Sequence, residues 1–356
     1  MRRLPVVIAL IFTVSTRLFA QEVVPFKLGT FEDSDGTYLG LVLEDRLIVH
    51  IEQANQALAG AKPTIPGDMT GLIAQYDGLR DRLHAIARTA ASMSGAAYIT
   101  DVSAVNVRPP MMPHVIYNAA SNYDLHSAEM ARRSNPQADL EPRPPAPNAI
   151  TGIWEREAND IRQNPYMFLK LPNTIIADGE AIRVPPGRPN LDWECELAVV
   201  IGKTASRVSV ADAEDYIFGY TLENDVSDRG GRGDGRMGGG PDWFLQKNHD
   251  TFAPFGPYIV PKEFVDDPLN LKQTLTMSGE LMQDSNTGNM THDIYDMLSY
   301  VSNIITMTPG DVYALGSPSG VGTARVPPIY MQAGDTAVCE IESIGVLTNP
   351  VVAWDE

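Results

Sequence analysis

The sequence predicts a β-dominated α+β protein, and three observations carry that prediction. Short apolar, β-branched runs closed by glycine recur through the second half, the clearest being Leu197-Ala198-Val199-Val200-Ile201-Gly202. Residues 21–60 alternate similar runs with turn signals, as in Tyr38 to Leu43 and Leu47 to His50. Helical spacing is confined to a few segments. Leu72, Ile73, Tyr76, Leu79, Leu83 and Ile86 mark one amphipathic helix or two between residues 67 and 92, and Ile294 to Ile305 marks another.

The 356 residues suffice for one large domain or two modest ones. Residues 1–20 read as a secretory signal peptide: Arg2 and Arg3 precede an apolar run from Leu4 to Val14, and Leu18-Phe19-Ala20 suits a cleavage site. That run is too short for a membrane span, and no later segment is long and apolar enough. The expected location is periplasmic or secreted, or cytoplasmic if the segment is not a functional signal. Removing it takes away three Arg and no acid, moving the formal charge from −18 to −21. Such a charge disfavours nucleic acid and anionic membrane as partners. Cys195 and Cys339 both lie in apolar runs and read as two buried thiols, and no Cys/His spacing suits zinc.

Taken in order, residues 21–107 form a small β-rich N-terminal domain. Arg108-Pro109-Pro110-Met111-Met112-Pro113 is a stiff linker into the main domain, residues 108–356. In the stretch from His114 to Glu129 a short strand runs into a helix start, and on that helix His126 and Glu129 share a face three residues apart. A carboxylate beside an imidazole orients it and raises its basicity, as a general base for water requires. Pro136 and Pro142-Arg143-Pro144-Pro145-Ala146-Pro147 then forbid regular structure, so 130–165 reads as a lid insertion, or equally as a surface insertion without a role, with one short helix from Ile153 to Ile161.

The central stretch is Asp192-Trp193-Glu194-Cys195-Glu196. Side chains alternate along a strand, so Glu194 and Glu196 share one face and Cys195 takes the other. Adjacent carboxylates on a buried strand need a cation between them, and oxygen ligands favour Mg²⁺, Mn²⁺ or Ca²⁺ over zinc. A strand from Tyr216 to Leu222 leads to Glu223-Asn224-Asp225. The glycine-rich 230–240 has no Lys-Ser/Thr after its glycines, so it is a rim rather than a phosphate loop. A hairpin follows at 271–290, and a last strand spans Thr336 to Ile341. His50 and His84 read as structural histidines. His249 lines the rim or, two residues after Lys247, takes a place in the site, and Trp154 anchors the lid or pins the insertion to the surface.

Six segments in order resemble the fumarylacetoacetate hydrolase family from residue 108 onward. They are Asn122-Tyr123-x-x-His126-x-x-Glu129, Glu194-x-Glu196, Gly219-Tyr220-Thr221 with Asn224-Asp225-Val226, Lys247-x-x-Asp250-Thr251-Phe252, Gln283 to Met290, and Pro309-Gly310-Asp311 before Gly316-Ser317-Pro318-Ser319-Gly320. The bacterial 2-hydroxyhepta-2,4-diene-1,7-dioate isomerase-like members are the nearest in pattern. The resemblance implies a mixed β-roll catalytic domain, a homodimer and one Mg²⁺ or similar ion held by Glu194, Glu196 and Asp225. It further implies Lys247 beside the metal, His126 and Glu129 as a water-activating dyad, and substrate contacts from Tyr123, Arg229, Arg232 and Ser317. Arg232 replaces a common Gln and Leu315 a common Thr, so the substrate-facing surround is this chain's own.

The expected activity is metal-dependent hydrolysis of a C–C bond in acylpyruvate-like or diketo acids through a stabilised enolate, with His126 and Glu129 activating water. The same site would also serve an isomerase, tautomerase or decarboxylase of 2-oxo acids. A non-catalytic periplasmic carboxylate-binding protein is the remaining class.

Overall fold

A computed structural model describes residues 23–93, 95–134, 153–154, 160, 162–232 and 242–355. The signal segment, most of the lid insertion with its short helix, and most of the glycine-rich rim lie outside the described residues.

The N-terminal unit runs β1 (Lys27–Asp33), β2 (Gly36–Leu43), β3 (Leu47–His50), α1 (Ile51–Ala57), α2 (Met69–Ala74), α3 (Tyr76–Ala91), β4 (Ile99–Asp101) and β5 (Asn106–Arg108). The helical spacing between 67 and 92 resolves into two helices, and Asp68 caps α2 by accepting the Gly71 amide at 2.8 Å. Tyr76, Leu79, Leu83, Ile86, Ala87 and Ala90 form the buried stripe of α3.

The remainder runs β6 (Ile116–Ala119), α4 (Asp124–Ser134), β7 (Met167–Lys170), β8 (Ile175–Ile176), β9 (Ile182–Val184), β10 (Leu191–Asp192), β11 (Cys195–Ile201) and β12 (Ile217–Asn224). It continues through β13 (Ser227–Asp228), α5 (Trp243–Lys247), β14 (Ala253–Pro261), β15 (Lys272–Met277), β16 (Glu280–Asn286), α6 (Ile294–Ile304), β17 (Val312–Ala314), β18 (Thr336–Ile341) and β19 (Gly345–Ala353). The expected hairpin is β15–β16, and the expected late helix is α6. The chain does not close on Thr336 to Ile341, as the sequence reading had it. β19 pairs antiparallel with β18 and parallel with β9, and Pro350 within it disguises the strand pattern.

The main sheet runs β4-β3-β2-β1-β14-β12-β11-β17-β6-β7, with β5 on β1 and β8 on β14, so the N-terminal strands extend the sheet of the second half. The join is β1 on β14, where Leu28 faces Ile259. A second sheet, β16-β15-β18-β19-β9, packs across one face. Strand alternation divides the core accordingly. Leu197, Val199 and Ile201 of β11 join the layer between the sheets, while Ala198 and Val200 join the layer under α2 and α3. Glu194 and Glu196 have the parity of Ala198 and Val200, so they occupy the N-terminal end of the helix-side face. Gly219 is the register's tight point: a Cβ there would lie 2.2 Å from the Val260 carbonyl oxygen.

Cys195 takes the opposite parity and forms a disulfide with Cys339 of β18, with Cα atoms 5.4 Å apart, which corrects the reading of two thiols. Sheet stacking brings together residues 144 apart in sequence. In chain-entropy terms, closing such a loop contributes about 5 kcal/mol. Replacing both cysteines by serine is therefore expected to lower the denaturant midpoint markedly, and thiol labelling of the unfolded, unreduced wild type should find no free thiol.

Candidate metal centre and proton-transfer dyad

The turn after β12 places the acids. The Asp225 amide donates to the Glu194 carbonyl at 2.8 Å, and the Asn224 side chain accepts the Glu194 amide at 3.0 Å. Glu194, Glu196 and Asp225 thereby offer oxygens that all lie within 4.8 Å of one another, each buried. Gly316, at φ +83°, donates its amide to Glu196 Oε2 at 2.8 Å, a backbone conformation that favours glycine.

Lys247, at the end of α5, bridges the acids: its Nζ donates to Glu194 Oε2 at 2.6 Å, to Ser227 Oγ at 2.8 Å and to Asp225 Oδ2. Lys170 of β7 was not anticipated from the sequence. It is fully buried, donates to Asp225 Oδ1 at 2.5 Å and reaches the Val226 and Phe252 carbonyls. A lone lysine in the apolar run Met167 to Leu171 was the available signal. Asp192 and Glu223 were also missed. Asp192 accepts the Gly322 amide at 2.7 Å and the Arg229 Nε at 3.0 Å. Glu223 stands opposite Glu196 in the β11–β12 register, and Asn118 donates to its Oε2 at 2.8 Å.

Burial pushes Glu194 up, but Arg229 and Lys247 outweigh it and hold the group well below the usual carboxylate range. Glu196 is driven well above that range by burial and by Asp225, Glu223 and Glu194. Burial pushes Glu223 up to about 7. Burial would lower Lys247, yet Asp225 and Glu194 raise it, so it keeps its proton.

These residues fit a divalent cation. Five buried carboxylates (Asp192, Glu194, Glu196, Glu223 and Asp225) face three cations (Lys170, Lys247 and Arg229), so full ionisation of the acids would leave two negative charges for an ion to offset. Glu223 Oε1 is also buried without a hydrogen-bond partner. The donor set is all oxygen, which suits Mg²⁺, Mn²⁺ or Ca²⁺. Burial and the neighbouring acids favour the protonated form of Glu196, so ion binding there competes with a proton. Mn²⁺ affinity by calorimetry is therefore expected to rise with pH, by about tenfold per pH unit for each proton expelled.

The helix α4 presents the dyad. His126 is buried, its Nδ1 lies 2.8 Å from Glu129 Oε1, and its Nε2 lies 3.6 Å from Glu194 Oε1. Both Glu129 oxygens accept the Gly320 amide, at 3.1 and 2.9 Å, which fastens α4 over the acids. Gly320 sits at φ +107°, and a Cβ would meet the Met282 carbonyl oxygen at 2.2 Å.

The other anticipated residues are placed as follows. Arg229 pairs with Asp192 and with Glu194 beside the triad. Tyr123 is buried and donates to Gln273 at 3.0 Å, and Ser317 Oγ accepts Gln283 Nε2 at 2.8 Å. Arg232 pairs with Asp242 at 2.5 Å. His249 Nε2 lies 3.5 Å from Asp228. Trp154 is buried, edge-on to His292 with ring centres 4.8 Å apart. His50 caps α1, and His84 contacts Glu263 at 3.2 Å.

Oxaloacetate tautomerase Fahd2a, mitochondrial, of Rattus norvegicus is 41% identical over 192 residues, 54% of this chain and 60% of that protein. The chain thus matches less than two thirds of that relative's length. Oxaloacetate tautomerase YisK of Bacillus subtilis is 29% identical over 91% of this chain and 99% of its own. The structure of a Sphingobium maleylpyruvate hydrolase with manganese(II) and pyruvate superposes with TM-score 0.65 and 27% identity, covering 92% of this chain and 99% of that one. The sequence profile described as "Fumarylacetoacetate (FAA) hydrolase C-terminal" matches residues 115–352, a span that contains the acidic triad, both lysines and the dyad. With two thirds of its length so matched, this chain belongs to the fumarylacetoacetate hydrolase family.

Proposed function

We propose that this chain is a divalent-metal-dependent tautomerase of short 2-oxo dicarboxylic acids, interconverting their enol and keto forms. The observation that carries this reading is the placement of His126. Its Nδ1 is fixed by Glu129, which leaves Nε2, 3.6 Å from Glu194, facing the acidic triad. Glu194, Glu196 and Asp225 would hold the ion, which when bound supplies a Lewis acid for the two oxygens of a 2-oxo acid. In the keto-to-enol direction His126 Nε2 would take the proton from the carbon next to the carbonyl and pass it to the enolate oxygen, and the enol-to-keto direction would retrace that path, with Glu129 holding the ring's tautomer and orientation. Lys247, which keeps its charge in this buried site, offsets the negative charge developing on the enolate oxygen.

The tautomerase relatives support this choice of reaction. It is tested by the loss of enol absorbance of oxaloacetate in the presence of Mn²⁺. Acceleration by the wild type and none by His126→Ala is expected. Equal acceleration by both would contradict the role of His126.

Hydrolytic C–C cleavage is the second reading, favoured by the same free Nε2, which suits a base for water, and by the likeness to maleylpyruvate hydrolase. Incorporation of labelled solvent oxygen into a carboxylate product from an acylpyruvate would establish it. The buried Cys195–Cys339 disulfide supports an oxidising, extracytoplasmic location. Recovery of the native protein from the cytoplasm with free thiols would contradict that. A homodimer is supported by β7, an edge strand whose neighbourhood exposes Tyr166, Leu169, Leu171 and Phe244. Sedimentation tests it, and a monomer at micromolar concentration would count against it.

A further inference from the structure

On one of its two sides, the ladder of β11 stops short of the metal-site acids. Toward β12, pairing runs on to Cys195, which stands opposite Asn224. Toward β17, pairing ends with Ala198 opposite Ala314, and one further bond joins the Leu315 amide to the Leu197 carbonyl at 3.0 Å. The chain then turns at Gly316, whose amide goes to the Glu196 side chain instead. Cys195, the residue between Glu194 and Glu196, is therefore fully buried with no strand to receive its backbone groups on that side. Buried backbone N–H and C=O groups need partners.

Two glutamine side chains supply them. Gln283 of β16 accepts the Cys195 amide through Oε1 at 3.1 Å, and Gln273 of β15 donates its Nε2 to the Cys195 carbonyl. Their remaining amide atoms are held too. Tyr123 donates its hydroxyl to Gln273 Oε1 at 3.0 Å, while Gln283 Nε2 donates to Ser317 Oγ and to the Pro318 carbonyl, each at 2.8 Å. The carbonyls of Cys195 and Pro318 can only accept, so an amide nitrogen must face each, which fixes both orientations. Both glutamines are buried, and a polar group is costly there unless it is fully bonded. The disulfide to β18 holds the Cys195 side chain separately, so all of these tethers come from the second sheet.

We infer that Gln273 and Gln283 are positioning residues of the metal centre, standing in for the missing strand so that Glu194 and Glu196 converge on one ion. The inference rests on the assignment of those two acids as ligands. The backbone at Cys195 sets the direction in which both neighbouring side chains leave the strand. Freeing it would let the two carboxylates turn while the sheets stay joined through the disulfide. The same glutamines reach Tyr123, three residues before His126, and Ser317. One hydrogen-bonded unit thus connects the seat of the ion, the start of the dyad helix and the turn after β17.

The test is Mn²⁺ affinity by calorimetry on the full chain, for the wild type, Gln273→Met and Gln283→Met, each beside its melting curve. Methionine keeps the length of the side chain and removes the amide. Loss of groups that orient metal ligands lowers affinity about 10- to 100-fold, and a fall in that range is expected for each variant, measured well below its melting temperature. Leu298→Ala, which empties a buried position on α6, is the control for destabilisation alone, and its affinity should be unchanged. Tyr123→Phe keeps the ring and frees only Gln273 Oε1. It should bind Mn²⁺ severalfold more weakly, and it carries the test if a methionine variant does not fold. Wild-type affinity in the folded variants, or an equal loss in Leu298→Ala, would overturn the inference and leave the metal centre standing. No Mn²⁺ binding by the wild type would overturn the metal centre itself, and the inference with it.

Discussion

Asp225→Asn is expected to lose Mn²⁺ binding and to lower kcat by about a thousandfold or more, the loss of roughly 4 kcal/mol of Lewis-acid stabilisation. Asp225 is the acid on which the site converges. Lys170 holds one of its oxygens and Lys247 the other, and both lysines are buried. Removing its charge therefore has a second consequence, because two ammonium groups lose their counter-charge inside the protein. Breaking a buried ion pair by removing one partner costs about 3–5 kcal/mol, so the melting temperature of the variant should fall as well. Calorimetry of Mn²⁺ binding, run beside thermal melting, separates the two effects. A folded variant that binds Mn²⁺ with wild-type affinity would remove Asp225 from the ligand set.

The second large effect is expected from His126→Ala. Loss of a positioned acid–base group costs about a hundred- to ten-thousandfold in kcat. Metal affinity should change little, since His126 lies 3.6 Å from Glu194 while Arg229 and Lys247 directly engage that carboxylate. Glu129→Gln should give a smaller loss, because Gly320 still donates to the retained carbonyl oxygen and only the orientation of His126 is weakened. A deficit in KM with kcat preserved would mean that His126 binds substrate and moves no proton.

The parts of the site carried by local periodicity were legible in the sequence. Glu194 and Glu196 share a face because strand side chains alternate, and His126 meets Glu129 because residues three apart on a helix are neighbours. Asp225 and Lys247 were reached only through resemblance to a family, since nothing local brings them to β11. Lys170 was missed for that reason: its partner Asp225 lies 55 residues away, and the contact exists only once β7 reaches the end of β12. The disulfide is the same case on a larger scale, since Cys195 and Cys339 meet only when the two sheets stack. For the fold, the β15–β16 hairpin and α6 were readable from pattern, whereas β19 was hidden by Pro350. The run of the N-terminal strands into the main sheet through Leu28 and Ile259 has no local signature at all.

The most direct test of a metal-borne enolising site is solvent deuterium exchange at the carbon next to the carbonyl of short 2-oxo acids, followed by NMR. It does not depend on which product the enzyme finally releases. The wild type with Mn²⁺ or Mg²⁺ should exchange that position well above the uncatalysed rate, and chelator or Asp225→Asn should each return it to background. Exchange that persists undiminished in chelator, or in a folded Asp225→Asn, would contradict the assignment of enolisation to the Glu194, Glu196 and Asp225 centre.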